Sequence, residues 1–112
     1  MVEITWEDFE KVDVRVGEVI EAEPFPEARN PSIKLTVDFG ADLGTRKTSA
    51  QLTAHYEPEM LLNKKVVAVV NFPPKRIAGF KSEVLVLGVP DGGGAVVLLS
   101  PDRDVPLGGR IF

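Results

Sequence analysis

An all-β fold, a five-stranded barrel with two short helices, is what this sequence predicts, and three patterns carry the prediction. Val12, Val14 and Val16 alternate with Asp13 and Arg15, and Ile33, Leu35, Val37 and Phe39 alternate with Lys34, Thr36 and Asp38. A period of two, one set of side chains apolar and the other polar, is the signature of a half-buried strand. The run Val66 to Val70 is apolar on both faces and ends shortly before Pro73-Pro74, as expected of a barrel wall that is also covered from outside. Helical signals are confined to two short stretches.

Thr5 followed by Asp8 reads as a capping box, opening a helix over residues 6–11 with Trp6 and Phe9 on one face. The first strand starts at Val12 and continues past an interruption at Gly17-Glu18 to Val19-Ile20. The interruption predicts a bulge or bend, the device by which small barrels turn a corner. Pro24, Pro26 and Pro31 mark an irregular loop carrying Arg29, and Ile33 to Phe39 forms the second strand. A turn at Gly40 to Gly44 leads to a polar third strand, Thr45 to Ser49. A helical turn or two between Gln51 and Leu62 separates it from the fourth strand, Val66 to Phe72. The fifth is Val84 to Val89, and Asp91-Gly92-Gly93-Gly94 turns into a hairpin partner, Ala95 to Ser100. Three strands, a short helix and two more strands is the order of an OB-fold, a Greek-key barrel that often binds nucleic acid. Residues 1–112 read as a single such domain with an N-terminal helix and an extra C-terminal hairpin.

Composition narrows the function classes. A chain of 112 residues with 44% hydrophobic and 27% charged side chains is ordinary globular usage. No cysteine is present, so a disulfide framework, a thiolate nucleophile and a Cys-based metal site are excluded, which fits a reducing cytoplasm. The acidic N-terminus lacks the pattern of a signal peptide, and the longest apolar run is too short to span a bilayer, so no membrane insertion is expected. His55 is the only histidine, which rules out a metal site of paired imidazoles. No G-x-S-x-G surrounds Ser49, Ser82 or Ser100. The pairs Glu57/Glu59 and Asp102/Asp104 lie in proline-bearing segments and read as solvated carboxylates. The Gly92 to Gly94 run lacks the lysine of a phosphate loop. The expectation is a binding protein, with no catalytic residues, no metal and no cofactor.

Charge points to what is bound. Residues 43–82 hold seven Lys/Arg against two acids, a local +5 in a chain whose formal charge is -4. Such segregation predicts an anionic partner met by one face. Within that stretch, Asn71, Phe72, Lys75, Arg76, Phe80, Lys81, Ser82 and Glu83 interleave basic, aromatic and polar residues. Basic side chains neutralise phosphates and exposed aromatics stack on unpaired bases. Lys75, Arg76 and Lys81 are assigned to binding, because no acid lies between Glu59 and Glu83 to pair with them locally. Phe72, Ile77 and Phe80 are expected to close the end of the barrel as core, the alternative being an apolar groove for extended peptide. Arg46, Lys47, Ser49 and Gln51, on or just after the third strand, join the same face. Trp6 and Phe9 with Leu107, Ile111 and Phe112 are more apolar surface than the ends of a small barrel need, and predict a homodimer.

Several motifs resemble the tRNA-binding domain family, whose members occur free and appended to some aminoacyl-tRNA synthetases. Val12-Asp13-Val14-Arg15-Val16-Gly17 resembles that family's opening, Pro58-Glu59 with Lys64-Lys65-Val66-Val67 its run into the fourth strand, and Ser82-Glu83 the start of its fifth. Phe25-Pro26-Glu27-Ala28-Arg29, Ser49-Ala50-Gln51, Val66 to Pro74 and Ala78 to Gly88 are similar to a small bacterial branch described as secretion-associated chaperones. The resemblance implies an OB-fold homodimer that binds tRNA, or unfolded precursor proteins awaiting export, or both. Thr48-Ser49-Ala50-Gln51 departs from the Val-Ser-Gly-Leu-like run of other members, so RNA contacts at Ala50 and Gln51 are not carried over.

Overall fold

Strand β1 (Val14–Pro24) is the spine of the computed structural model, which describes residues 1–112. Its first half pairs antiparallel with β4 (Lys65–Val69), from Val14↔Val69 to Glu18↔Lys65. Its second half pairs with β2 (Ile33–Asp38), from Glu18↔Asp38 to Pro24↔Ile33. One strand serves two neighbours only if it bends, and Gly17 sits at the bend. A Cβ there would fall 2.5 Å from Val37 Cγ1 and 2.8 Å from the Phe39 ring, so no larger residue fits. The predicted irregularity is therefore present, but the register slips further on, between Val19 and Glu21.

β2 pairs with β3 (Thr45–Ala50), and β4 pairs with β7 (Leu85–Val86), giving the order β3-β2-β1-β4-β7. The ends of this sheet meet at one point. The Lys47 N–H donates to Glu83 Oε2 and the Glu83 N–H donates to the Lys47 carbonyl, both at 2.8 Å. The buried Thr48 hydroxyl donates to the Val84 carbonyl at 2.6 Å and lies 3.1 Å from Ser82 Oγ. The result is the OB-fold expected, a nearly closed five-stranded barrel. α1 (Trp6–Glu10) carries the Thr5/Asp8 capping box, and α2 (Pro58–Leu61) lies between β3 and β4.

Val19, Ile33, Leu35, Val37, Phe39, Leu52, Leu61, Val66, Ala68 and Val84 fill the barrel. Val67 and Val69 face outward yet are buried against Val14 and Leu87, which accounts for the apolar character of both faces of β4. The C-terminal tail covers the remaining edge of β1. Val16 N–H donates to Gly109 at 3.0 Å, and the N–H groups of Gly108 and Ile111 donate to Val16 and Val14 at 2.8 Å.

Two elements differ from the sequence expectation. The segment after Pro74 is a hairpin, β5 (Lys75–Ile77) and β6 (Phe80–Ser82), rather than a loop. Ala78 (φ 48°) and Gly79 (φ 81°) make its turn, the left-handed pair that suits the twist of a two-residue hairpin. The fifth strand also does not run unbroken to Val89. After β7 the chain changes partner, and β8 (Gly88–Pro90) pairs with β9 (Val96–Leu98).

Candidate nucleic-acid and peptide interface

The β5–β6 hairpin sorts its side chains by face. Arg76 lies directly opposite Lys81, whereas Lys75 pairs with Ser82 and Ile77 with Phe80. Cross-strand partners share a face, so Arg76 and Lys81 point away from the barrel and are exposed. Neither enters an ion pair, nor do Lys34, Lys47 or Lys75. Like charges opposed across a ladder repel, and no acid of the chain relieves this pair. The rest of the basic stretch is partly spoken for. Lys65 Nζ lies 2.7 Å from Asp104 and 3.9 Å from Glu18, Lys64 sits 6.0 Å from the Tyr56 ring centroid, and Arg46 Nε donates to the Leu43 carbonyl at 3.2 Å.

Lys34 and Lys47 lie on the outside of β2 and β3, with Glu21 and Glu23 of β1 on the same face. Lys34 Nζ stands 4.6 Å from the Phe25 ring centroid and 5.1 Å from that of Phe80, and the two rings meet edge to face at 5.4 Å. This cation–π arrangement places both the lysine and the Phe80 ring at the edge of a shallow depression shared with Thr36, Lys47, Glu21 and Glu23, the last directly opposite Lys34 across the ladder. Sequence reasoning missed Lys34 and Phe25, since nothing in the chain order places residue 25 beside residue 80.

Against the hairpin face that carries Lys75, Ile77 and Ser82, opposite Arg76 and Lys81, lies a groove of about 840 Å³. The end of β3 and Leu52 form one wall, Val84 to Gly88 form the other, and Phe72, Lys75 and Ile77 overhang it. The expectation that Phe72, Ile77 and Phe80 are core is therefore overturned. Phe72 is 54% exposed, and Ile77 and Phe80 are only half-buried. Their hairpin straddles the end of β3 instead of plugging the barrel.

The remaining predicted site residues divide as follows. Ser49, Gln51, Ser82 and Glu83 line the groove together with Phe72 and Lys75, whereas Lys47 and Phe80 line the shallow depression, whose two lysines are matched by Glu21 and Glu23. Glu83 also has a structural task, since one of its carboxylate oxygens closes the barrel at Lys47. Asn71 does not reach either surface. Its Oδ1 accepts from the Asp13 N–H at 3.0 Å and its Nδ2 donates to the Lys11 carbonyl at 2.7 Å, so it clasps the start of β1 to the end of β4. The pair Asp13 and Arg15 is committed likewise. Arg15 Nε and Nη2 lie 2.6 and 3.2 Å from the Asp13 carboxylate, and Nη1 donates to the Gly108 carbonyl at 3.0 Å. The Arg15 guanidinium holds the Asp13 carboxyl below the usual carboxylate range, with Arg110 adding to the effect. Two charges thus anchor the C-terminal tail.

His55 Nε2 lies 2.5 Å from Asp91 Oδ2, linking the segment before α2 to the β8–β9 turn. That contact, with the N–H groups of Ala95 and Gly93, holds the Asp91 carboxyl low. Of the predicted dimer residues, Trp6 is 65% exposed and packs its ring 5.5 Å from that of Phe9. Ile111 and Phe112 are exposed and Leu107 is half-buried. Arg110 Nη2 donates to the Glu10 carbonyl at 2.7 Å, which brings the tail beside α1. A second apolar surface, Leu85, Val89, Val97 and Leu99, was not singled out, because an unbroken fifth strand gives no sign of which side it exposes.

Residues 14–110 match the model of the family described as "Putative tRNA binding domain". Among solved structures, the chaperone CsaA of Bacillus anthracis is 54% identical, with a TM-score of 0.91, and the match covers 99% of this chain and 100% of that one. CsaA of Picrophilus torridus is 51% identical, also at TM-score 0.91, over 98% and 100% of the two chains. The methionine–tRNA ligase of Chloroherpeton thalassium is 40% identical over 105 residues, which are 94% of this chain but only 15% of the ligase. The chain thus spans a small part of the curated relatives it matches. With a family match over most of its length and full-length neighbours half-identical to it, this chain belongs to the tRNA-binding domain family, and its likeness within that family is to the CsaA chaperones.

Proposed function

We propose that this protein binds tRNA, without catalysing a reaction, through the outer face of the β5–β6 hairpin and the adjoining outside of β2 and β3. The observation that carries this is the opposed pair Arg76 and Lys81, exposed and in no ion pair; Lys34 and Lys47 add further cations on the outside of β2 and β3. A phosphate backbone supplies the missing counter-charge, and the fixed ring of Phe80 offers a surface for an unstacked base. Because the chain as a whole is acidic, this affinity is local and sensitive to salt. Titration of labelled tRNA at about 50 and 200 mM salt tests it. A steep fall in affinity is expected, and a flat response removes the phosphate contribution.

A second ligand class is favoured by the apolar groove. Its size and its mix of Phe72, Ile77, Val86 and Leu87 with Ser49 and Gln51 suit a segment of unfolded polypeptide. The likeness to the CsaA chaperones supports the same reading, with precursor proteins bound for export as the natural clients of a cytoplasmic protein. Apolar binding is far less sensitive to salt than phosphate binding, so the same titration with an unfolded precursor separates the two ligands. We further propose a homodimer, which doubles both surfaces and raises affinity through avidity.

A further inference from the structure

The β5–β6 ribbon stands between the two ligand surfaces and gives each a different side. Lys75, Ile77 and Ser82 line the groove, whereas Phe80 lines the shallow depression and Arg76 and Lys81 point outward. The groove and the depression have no lining residue in common. What separates them is the end of β3 at its junction with Glu83. Lys47 belongs to the depression, and its backbone N–H and carbonyl are bonded at 2.8 Å to Glu83, a groove residue. The next residue, Thr48, is buried, with its hydroxyl donating at 2.6 Å to the Val84 carbonyl. The partition is thus a hydrogen-bonded piece of the barrel wall, not a side chain that a ligand could push aside.

We propose that RNA and polypeptide occupy one chain at the same time, so that the protein is an adaptor holding an unfolded polypeptide segment beside a bound RNA. This rests on both readings of the preceding subsection and adds how the two ligands are related. Ligands compete when they overlap, or when one needs a conformation that excludes the other. Here the surfaces are disjoint, the groove is already formed at about 840 Å³, and Arg76 and Lys81 are already exposed. Chemistry keeps each ligand on its own side. A polyanion entering the groove would meet Glu83 and an apolar lining. An apolar segment laid on the outer face would strip water from two cations that have no partner. A two-stranded ribbon with its side chains is about 10 Å thick, so the two ligands lie about that far apart.

The test uses a tRNA transcript carrying one dye and a peptide of about eight residues, alternating Val/Leu with Thr/Ser, carrying another. The peptide is capped at both ends, so it has no charge with which to bind the RNA directly. The tRNA is titrated alone and again with peptide at saturation, which fills the groove of every chain, both grooves of a dimer included. Its Kd should stay within about threefold of the value without peptide, or become tighter. Energy transfer between the dyes should appear only when protein is present. Phe72→Ala, at a residue that is 54% exposed, should weaken the peptide about tenfold and leave the tRNA unchanged. Arg76→Ala with Lys81→Ala should do the reverse, by about tenfold or more at about 50 mM salt. Displacement of tRNA by the peptide, or equal weakening of both ligands in either variant, overturns simultaneous binding and leaves the separate readings intact. Unchanged affinity with no energy transfer overturns the placement of the ligands across the ribbon. If one ligand fails to bind when alone, its own reading falls and the proposal falls with it.

Discussion

Lys47 and Glu83 join the two ends of the barrel sheet by a reciprocal pair of 2.8 Å hydrogen bonds, one backbone to backbone and one backbone to side chain. The carboxylate stands where a further strand would present a carbonyl. Glu83→Ala removes that acceptor from a half-exposed position, and the expected loss of stability is about 1 kcal/mol. Glu83→Gln keeps an amide oxygen at the same reach and should recover most of it. Urea unfolding of the two variants checks this, and equal losses would show that charge rather than acceptor geometry matters at the junction.

Arg76 and Lys81 should show opposite signs for stability and binding. Replacing both with Ala relieves a like-charge pair, so the unfolding free energy at low salt should stay level or rise by about a few tenths of a kcal/mol. Binding of tRNA should weaken, and the slope of log affinity against log salt should become shallower by roughly one unit for each charge removed on duplex-like RNA. Lys75→Ala adds a third step of the same kind if its ammonium reaches the RNA from the groove side. Unchanged affinity and slope in the double variant would exclude this face as the RNA site.

Much of the barrel was legible because its signals are local. Alternation marked β1 and β2, the Thr5/Asp8 pair marked α1, and Gly17 marked the bend. The β5–β6 hairpin was not legible, since its strands have three residues each and its turn begins with Ala78, a residue type that seldom adopts positive φ. The basic surface was visible as a charge imbalance, although composition did not reveal that Lys65 is neutralised by Asp104. Asn71 and Glu83 also carry structural tasks that chain order does not reveal, because those partners lie far away in sequence, 58 residues at Asp13 and 36 at Lys47. Chemistry narrows what such a residue can do, but only topology decides whether a backbone group claims it first.

Asp13 should contribute an identifiable share of acid stability through its pair with Arg15. Its carboxyl titrates below its unfolded value of about 3.9 because Arg15 bonds the charged form. A depressed carboxylate contributes stability that is present above the unfolded pKa and is lost as pH falls through the folded one. Asp13→Asn should therefore cost about 1 kcal/mol at neutral pH, a figure reduced by the partial exposure of the pair. The difference from wild type should shrink below pH about 4 and vanish once Asp13 is protonated in both states. A constant difference across that range would assign the effect to packing of the tail instead.

The last prediction concerns α1. A five-residue helix is not stable alone, and this one buries no residue in the core. Its capping box, Asn71 and Arg110 nevertheless hold it in place, with Trp6 65% exposed and Ile111 and Phe112 exposed in the adjoining tail. Holding the Trp6 and Phe9 face of this helix on the surface without using it in the core makes sense when a partner covers it. Wild-type protein should scatter light as a dimer at micromolar concentration, about twice the 12.2 kDa of one chain. Trp6→Ala with Phe9→Ala should shift it toward monomer, with little change in the barrel because neither ring belongs to its core. Val89→Thr with Leu99→Thr, on the other apolar surface, should leave the dimer in place. If the second pair dissociates it and the first does not, the interface lies on the β7–β9 face. A monomer in the wild-type protein would exclude both surfaces as a self-interface.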